Sequence, residues 1–460
     1  MATGQGYPSH VSVTANQLLK SRRLWATPLV VASVLVMLMT LLYFGSIVDP
    51  SEHLHGLPVV VVDQDAGAST PSGRLDLGQQ VATALVRSRA VTERLALTVT
   101  SYAQAQAQMD RGAAYVAVLV PPRFTSATLA QLRATHEKGA DGQLPAVELL
   151  GNSRAGTLGV SLADAVLAPA LSKVAQAVGG HLAPLAAPGT DRALLAAPFE
   201  VTQVSYRPLP AHSGLGLTAF YVALLIMMCG FLGAVIINTF VDSALGYATS
   251  EVGPWWKQRL PLPVSRWDTL VVKWSIAVPG TLVLTGTLLA VAAGVLRMDA
   301  AHWAELWMYA WFAAAVVAMG TLVLFAALGA LGQLIGLLVF VYLALASSGG
   351  TVPLQALAGF FRFVASFEPL RQIVGAVRAI LYFNGAGDAG LDRGLVLTGI
   401  GLGFWAVAGV AVTKWYDYKG LYRLRPETLE YVHATVMAYQ AQAGTSAPES
   451  AGPSPTQAKD

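Results

Sequence analysis

Six apolar runs, each close to the length that crosses a bilayer as a helix, constrain the fold of this chain more than any other feature. They cover residues 25–48, 215–239, 270–296, 306–328, 332–346 and 395–413. The composition agrees, because 54% of the 460 residues are hydrophobic and only 12% are charged, about half the charged share of a typical soluble domain. We therefore predict a polytopic α-helical membrane protein with six transmembrane helices, one near the start and five grouped later.

The first apolar run is predicted to be an uncleaved anchor rather than a cleaved signal peptide. It is longer than the apolar core of a signal peptide, and the following stretch GSIVDPSEH lacks a small-x-small cleavage site.

Lysine and arginine residues set the predicted orientation, because cytoplasmic loops carry an excess of them. Ten fall on one side of the six-helix layout: Lys20, Arg22, Arg23, Lys257, Arg259, Arg266, Lys414, Lys419, Arg423 and Arg425. Five fall on the other side: Arg297, Arg362, Arg371, Arg378 and Arg393. We predict a plasma-membrane protein with both termini in the cytoplasm and residues 49–213 outside it.

Residues 49–213 have a different pattern, which predicts one soluble domain inserted between the first span and the other five. Short apolar runs such as LPVVVVDQD alternate with helix-like stretches such as 157–178. This alternation predicts a small α/β domain with at least partly parallel strand pairing. The first strand follows Asp49 and Pro50 closely, and we hypothesise that this short connection couples the position of the domain to the first helix.

Three further segments complete the predicted organisation. Residues 1–24 form a basic, weakly amphipathic cytoplasmic segment, and residues 214–415 form a five-helix, permease-like membrane block. Residues 416–460 form a cytoplasmic tail, which is expected to be disordered after about residue 443.

The membrane block is predicted to carry an outer hairpin at 351–383 that dips into the bilayer and packs against the helices. Pro353 and Pro369 interrupt the helical pattern there, and apolar residues recur between and after them at helical spacing. Glu368, Arg371 and Arg378 lie on this hairpin. A structural ion pair or a contact with lipid head groups is favoured over a substrate role, which remains open.

Two polar clusters in the inserted domain are candidates for a phosphotransfer or metal site. Asp63 and Asp65 follow the first strand and could form a phosphotransfer or metal site, but a strand end whose carboxylates cap a turn at Gly67 is favoured. His53 and His55 could bind zinc with a third ligand, although surface histidines are the favoured interpretation.

Four longer stretches carry a family resemblance. They are YFGSIVDPSEHLHGLPVVVVDQDAG, LDLGQQVATAL, RGAAYVAVLVPPRFT and SSGGTVPLQALAGFFRFVASFEPLRQIVGAVRAILYF. Their order and spacing resemble the nitrosoguanidine-resistance-type membrane proteins, which are related to the phage-infection-protein group and to type-2 permeases of ABC transporters. The resemblance implies the one-plus-five topology and a role in export or envelope function. It marks these positions as motif candidates: Gly45, Asp49, Pro50, Pro58, Asp63, Asp65, Gly67, Gly349, Pro353, Phe361, Glu368, Pro369, Arg371 and Arg378.

The sequence carries no motif of a known catalytic or energy-coupling centre. P-loop, H-E-x-x-H and G-x-S-x-G patterns do not occur, so we do not expect an enzyme, a cofactor or a metal site. Cys229 is the single cysteine, which rules out an intrachain disulfide. Lys273 is expected to extend its charge to the membrane surface and Asp242 to fall just past the second span, which leaves little support for proton coupling.

The predicted function is that of a permease-like protein that aids export of, or resistance to, toxic or amphiphilic compounds or envelope material. The alternative is a non-transporting envelope scaffold, phage receptor or secretion-system accessory. Expected partners are the lipid bilayer, a separate ATPase or secretion component, and a second copy of the chain through small-residue helix faces. Nucleic acid is not expected, because the net charge is only +3 and no basic stripe occurs.

Overall fold

A computed structural model describes residues 20–70, 73–134, 144–185, 192–257 and 259–423, and seven positions between 427 and 438. Most of the predicted N-terminal segment 1–24 and the predicted disordered tail after 443 lie outside these residues.

The described residues are mostly helical, with three small sheets. The strands are β1 (Leu57–Asp63), β2 (Ala68–Thr70), β3 (Gly73–Leu75), β4 (Leu95–Val99), β5 (Val116–Val120), β6 (Ala146–Gly151), β7 (Glu200–Ser205), β8 (Ser250–Val252) and β9 (Trp255–Lys257). The helices are α1 (Arg22–Met39), α2 (Leu77–Arg87), α3 (Arg89–Thr92), α4 (Tyr102–Asp110), α5 (Phe124–Ala134), α6 (Thr157–Leu182), α7 (Arg192–Ala196), α8 (Thr218–Ala244), α9 (Arg266–Gly294), α10 (Trp303–Leu328), α11 (Ala330–Leu337), α12 (Gly359–Val364), α13 (Pro369–Tyr382) and α14 (Leu391–Tyr418).

Seven of the described helical segments are long and apolar enough to cross a membrane. Six of them coincide with the predicted apolar runs: Ala26–Ile47, Thr218–Ala244, Arg266–Gly294, Trp303–Leu328, Ala330–Ser347 and Leu391–Tyr418. The seventh is α6, which the sequence pattern had predicted as a helix of the inserted domain.

The chain divides into two compact units. The first comprises Met1–Met227, Thr285–Ala313 and Gly336–Ile400, and the second comprises Met228–Leu284, Ala314–Ile335 and Gly401–Asp460. The large sheet and the hairpin 351–383 therefore belong to the first unit, and the hairpin β8–β9 belongs to the second.

Five strands form one mixed sheet in the order β4-β1-β5-β6-β7. β1 pairs in parallel with β4 and β5, whereas β6 runs antiparallel to β5 and parallel to β7. The predicted partly parallel pairing is confirmed. We call the edge where β1 begins and where β6 and β7 end the entry edge, because the chain enters the sheet from α1 and leaves it towards α8 there.

The central strand β1 is buried on both faces, which explains its unbroken apolar sequence. On one face, Val59 and Val61 join a core that contains Leu167 and Leu171 of α6. On the other face, Val60 and Val62 pack with Ala105 and Met109 of α4. The seventh apolar helix therefore covers this sheet with its buried stripe, since helices stabilise a sheet by burying one face against it.

Two helices change to π-helical hydrogen bonding near their carboxyl ends, and both π-helical segments belong to the first unit. α1 continues through Thr40–Phe44 into a final turn, Gly45–Ile47, and α11 continues through Leu338–Leu343 into Ala344–Ser347. The two π-helical segments contact each other. Segments of this type are rare and are frequent at functional sites.

Candidate functional site

The entry edge of the sheet shares one hydrophobic core with a membrane-helix end and with the hairpin 351–383. Leu42, at the end of α1, and Ala356 and Phe361, in the hairpin, pack in the same core as the strands. The backbone N–H of His55 also donates a hydrogen bond of 3.0 Å to the carbonyl of Gln355. Because close-packed cores resist sliding, the sheet and the hairpin are held as one body at this edge.

The hairpin residues singled out from the sequence form turns and helix starts. Gly349 has φ of +67°, a left-handed conformation that favours glycine. Pro353 precedes a single 3-10 turn, Leu354–Ala356, and Phe361 of α12 is buried. Pro369 is the first residue of α13, where proline loses no hydrogen bond.

Glu368 caps α13 from a buried position. Its carboxylate accepts hydrogen bonds from the N–H groups of Leu370 at 2.7 Å and Arg371 at 2.9 Å. Glu368 is only 2% exposed. Burial raises the pKa of Glu368 to about 7, against the opposing effect of these hydrogen bonds and of the Arg371 charge. This carboxyl group therefore titrates near neutral pH.

The arginines of α13 face the start of β5. Arg371 donates to the carbonyl of Ala365 at 2.9 Å, and Arg378 donates to that of Gly350 at 3.4 Å. Burial and, to a smaller extent, the charge of Arg393 lower the pKa of Arg371 to about 10, against the opposing effect of Glu368. Both arginines therefore contact backbone carbonyl groups, while the charge of Arg371 also acts on Glu368.

Tyr115 connects this arginine face to the sheet. Burial raises the pKa of Tyr115, and the charges of Arg378 and Arg371 oppose that rise. Its ring packs against Gly159 of α6, where a Cβ atom would lie 2.4 Å from the ring. Only glycine fits there, so α6, β5 and α13 are held close together.

A cavity of about 340 Å³ opens at the entry edge. Asp110 from the end of α4, Arg154 after β6 and Arg207 after β7 line its polar wall. The parallel pairing of β6 and β7 brings the two arginines together, since the carboxyl ends of parallel strands meet at one edge. Apolar lining residues include Leu381 and Phe383. The volume lies in the range of small-molecule sites.

Asp110 is the acidic group of this cavity. Its carboxylate lies 2.9 Å from the guanidinium of Arg207 and accepts a hydrogen bond of 3.0 Å from the hydroxyl of Tyr206. Burial raises the pKa of Tyr206, and the hydrogen bond to Asp110 raises it further. Asp110 is therefore already bonded to both neighbours.

Arg154 is fixed by backbone carbonyl groups. It donates from Nε at 3.2 Å and Nη2 at 2.9 Å to the carbonyl of Pro208, and from Nη1 at 3.2 Å to that of Tyr382. Burial lowers the pKa of Arg154, the Arg207 charge lowers it further, and Asp110 opposes the change. Arg154 thus bridges the end of the sheet and the end of α13.

Asp63 and Asp65 lie at the opposite edge of the sheet, where Asp65 binds the starts of two helices. Asp65 accepts hydrogen bonds from the N–H of Thr125 at 3.1 Å, from the Thr125 hydroxyl, and from the N–H of Gly78 at 3.3 Å. Asp63 accepts from the N–H of Asp65 at 3.0 Å, and burial raises the pKa of Asp63. We call Asp63, Asp65, Gly78 and Thr125 the acidic clasp.

The acidic clasp differs in detail from the favoured sequence interpretation. The Asp65 carboxylate binds the first turns of α2 and α5, and the Asp63 carboxylate binds the N–H of Asp65, so neither caps a turn at Gly67. Gly67 has φ of +67°, and a Cβ atom there would lie 2.8 Å from the carbonyl oxygen of Leu75. Both features explain the glycine without a ligand.

The connection between α1 and β1 is a series of local turns. Gly45 begins the last helical turn of the α1 segment. Asp49, followed by Pro50, accepts hydrogen bonds from the Ser51 hydroxyl at 2.9 Å and the Glu52 N–H at 3.2 Å, and these bonds lower its pKa. The connection is therefore ordered by its own side chains.

Pro58 and the two histidines also have structural partners. Pro58 lies in β1 opposite Ala96 of β4. The Nδ1 atoms of His53 and His55 lie 2.9 Å and 2.8 Å from the carbonyl oxygens of Asp49 and His53. Among the described residues, no three His, Cys, Asp or Glu side chains are grouped so that they could hold a metal ion.

The second unit contains a buried ion triad of Asp242, Lys273 and Arg423. Asp242 lies 2.7 Å from the ammonium of Lys273 and 2.6 Å from the nearest guanidinium nitrogen of Arg423. Lys273 also donates to Asn238 at 2.6 Å. Lys273 is 4% exposed and paired inside the unit, a pairing that the sequence did not predict. The helix α8 continues past the predicted end of the second span to Ala244, so Asp242 lies within the helix.

The hairpin β8–β9, which we did not predict, carries the two adjacent tryptophans of the loop between α8 and α9. Trp255 is 75% exposed and Trp256 is 62% exposed.

The sequence analysis did not identify the cavity. Arg154 and Arg207 belong to no motif and are far apart along the chain. Each follows the end of a strand, β6 or β7, by a few residues, and this position is the one signal that could have drawn attention to them. The adjacency of β6 and β7 brings them together, and that adjacency was not predicted.

The apolar helices and the mixed sheet indicate a membrane protein that is mostly helical. The chain belongs to a family described as a protein of unknown function (DUF3533), whose model matches residues 28–407. This range includes most of α1, the large sheet, the hairpin and part of α14. Comparisons with curated proteins and with solved structures give no significant match.

Proposed function

We propose that this protein is a permease-like component of the plasma membrane. It helps to export amphiphilic or toxic compounds, or envelope material, as the resemblance to nitrosoguanidine-resistance-type proteins and type-2 permeases implies. In this proposal six of the seven apolar helices cross the bilayer, and α6 covers the sheet instead. Residues 49–213 then lie outside the cytoplasm and both termini lie inside.

The shared core at the entry edge is the observation that carries the proposal. Leu42 of the α1 segment and Phe361 of the hairpin pack in the same core as the sheet. A displacement of the outer domain would therefore be transmitted directly to a membrane helix and to the hairpin. Such coupling is useful for a protein that alternates between conformations, because packed cores move as discrete bodies.

The energy source in this proposal is a separate protein. The sequence has no P-loop, so an ATP-driven cycle would need an ATPase subunit. The conformational change would then begin on the cytoplasmic side and reach the outer domain through the helices.

The proposed topology is tested by labelling single cysteines in intact cells with a membrane-impermeant maleimide. Cys229→Ala provides the background, and Glu93→Cys and Lys257→Cys place one exposed thiol each in the sheet region and in β9. Glu93→Cys should react in intact cells, and Lys257→Cys only after permeabilisation. The opposite labelling pattern would overturn the topology.

The proposed transport function is tested by measuring ethidium accumulation and survival after nitrosoguanidine treatment. Cells without the gene should accumulate more ethidium and survive less, and the wild-type gene should restore both. Phe361→Ala, which leaves a cavity in the shared core, should restore them poorly at equal membrane abundance. Phe363→Ala is the matched control, because Phe363 is 68% exposed.

Unchanged accumulation of ethidium and of further lipophilic compounds, together with a defect in protein secretion, would refute the transport function. The non-transporting scaffold would then replace it.

A further inference from the structure

We propose that the cavity at the entry edge binds the anionic head group of an amphiphile, namely a carboxylate or phosphate joined to an apolar chain. The inference rests on the composition of the cavity walls and does not require that the protein transports its ligand. It assigns a ligand class to residues that no motif had marked.

The charges of the cavity favour an anion. Arg154 and Arg207 face it with two positive charges, and Asp110 contributes one negative charge. The carboxylate of Asp110 is already bonded to Arg207 and to the hydroxyl of Tyr206. The excess positive charge is therefore not neutralised within the lining, and a bound anion would neutralise it.

The orientation of Arg154 prepares the cavity for an oxyanion. A guanidinium has five N–H donors, and Arg154 directs three hydrogen bonds to the carbonyls of Pro208 and Tyr382. One N–H remains on each terminal nitrogen, in a direction set by the three bonds already made. Fixing a donor before binding reduces the entropy lost on binding, and arginine suits carboxylate and phosphate geometry.

The apolar wall indicates that the anion carries an apolar chain. Met109, Leu381 and Phe383 line the cavity beside the arginines. The ring of Phe383 packs against Gly112, where a Cβ atom would lie 2.8 Å from it. A free inorganic ion would leave this wall exposed to water, whereas an alkyl chain would cover it.

The position of the cavity agrees with a ligand that arrives from the bilayer. Its walls come from the ends of β6 and β7, which lead towards α8, and from the end of α13. A bound amphiphile would contact both the sheet and α13, at the same edge where the shared core joins them.

The test measures binding by isothermal titration calorimetry to the full chain in phosphatidylcholine nanodiscs. Hexyl phosphate is the probe, hexanol is the uncharged analogue, and inorganic phosphate is the anion without a chain. Hexyl phosphate should bind, and the other two should bind at least about tenfold more weakly, because each lacks one of the two contacts. Equal affinity for hexanol would refute the role of the arginines, and equal affinity for inorganic phosphate would refute the role of the apolar wall.

Variants of the lining separate binding from folding. Arg207→Gln and Arg154→Gln should each weaken hexyl phosphate binding about tenfold, as expected for loss of a charged hydrogen bond. Asp110→Asn should strengthen binding, because it removes the negative charge that competes with the ligand. Arg89→Gln is the matched control, since Arg89 has a side chain that is 91% exposed and is paired with Glu93.

Arg154 also supports the fold, so each variant is first compared with the wild type by gel filtration and thermal unfolding. Arg207→Gln and Asp110→Asn keep the proposal testable if Arg154→Gln does not fold. Binding that is unchanged in both of these folded variants would overturn the inference.

Discussion

Replacing Glu368 with glutamine should remove a pH dependence of stability that the wild-type protein has. The carboxyl group is 2% exposed, and burial raises its pKa from the ordinary value of 4.5 to about 7. The folded protein then binds this proton more tightly than the unfolded chain does. The resulting stabilisation is fully present below pH 4.5 and is lost as the pH rises through about 7.

The size of the effect follows from the pKa values. A pKa difference of one unit between the folded and unfolded states corresponds to a free-energy difference of about 1.4 kcal/mol. The rise from 4.5 to about 7 therefore predicts that the wild type loses about 3 kcal/mol between pH 4.5 and pH 8 relative to Glu368→Gln. Solvent does not screen the Glu368 carboxylate, because the group is buried.

The measurement is thermal unfolding of the purified protein in detergent, repeated across this pH range. The wild-type Tm should fall by a few degrees relative to that of Glu368→Gln as the pH rises. Glutamine keeps one acceptor oxygen for the start of α13, so a constant offset between the two proteins is expected and only its change with pH is informative. Glu93→Gln is the control, because it makes the same substitution in a side chain that is 60% exposed. Parallel curves for the wild type and Glu368→Gln would refute the raised pKa.

Two further substitutions test the packing of the acidic clasp and the ion triad. Gly78→Ala should destabilise the protein by about 2 kcal/mol, because the new Cβ atom would lie 2.3 Å from the carboxylate of Asp63. Gly180→Ala is the matched control for Gly78→Ala. A Cβ atom added at Gly180 would meet no neighbouring atom within 4 Å, so this substitution should be neutral or stabilising. Asp242→Asn should cost about 3 kcal/mol, because it leaves the buried Lys273 and the partly buried Arg423 without their counter-charge. Asp268→Asn alters an exposed residue and is the control. Each variant and its control are compared with the wild type by Tm in detergent. A control whose Tm shifts as much as that of its variant would contradict the prediction.

The apolar helices and the strands could be predicted from the sequence because their signals are local. A helix that crosses the bilayer needs a run of about 20 apolar residues. A strand that is buried on both faces needs a short, unbroken run of apolar residues. The predicted runs therefore coincide with six apolar helices, and LPVVVVD forms β1. Errors occurred at boundaries, where α8 continues past the predicted end at residue 239 to Ala244.

Elements with weak local signals were missed. α2 was not predicted, although Asp76 at its start accepts a hydrogen bond of 2.9 Å from the N–H of Gln79. The hairpins β2–β3 and β8–β9 are only three residues per strand. Such short pairs are specified by turns and surroundings more than by strand periodicity.

Strand order and the cavity depended on tertiary structure. The sequence by itself determined which stretches are apolar enough to cross a bilayer, that strands alternate with helices between residues 49 and 213, and which prolines and glycines interrupt them. It did not determine that β6 lies between β5 and β7, that Arg154 and Arg207 share a cavity, or that Lys273 pairs with Asp242. Periodicity and helix propensity act between residues a few positions apart, whereas these contacts join residues far apart along the chain and arise from the packing of whole elements.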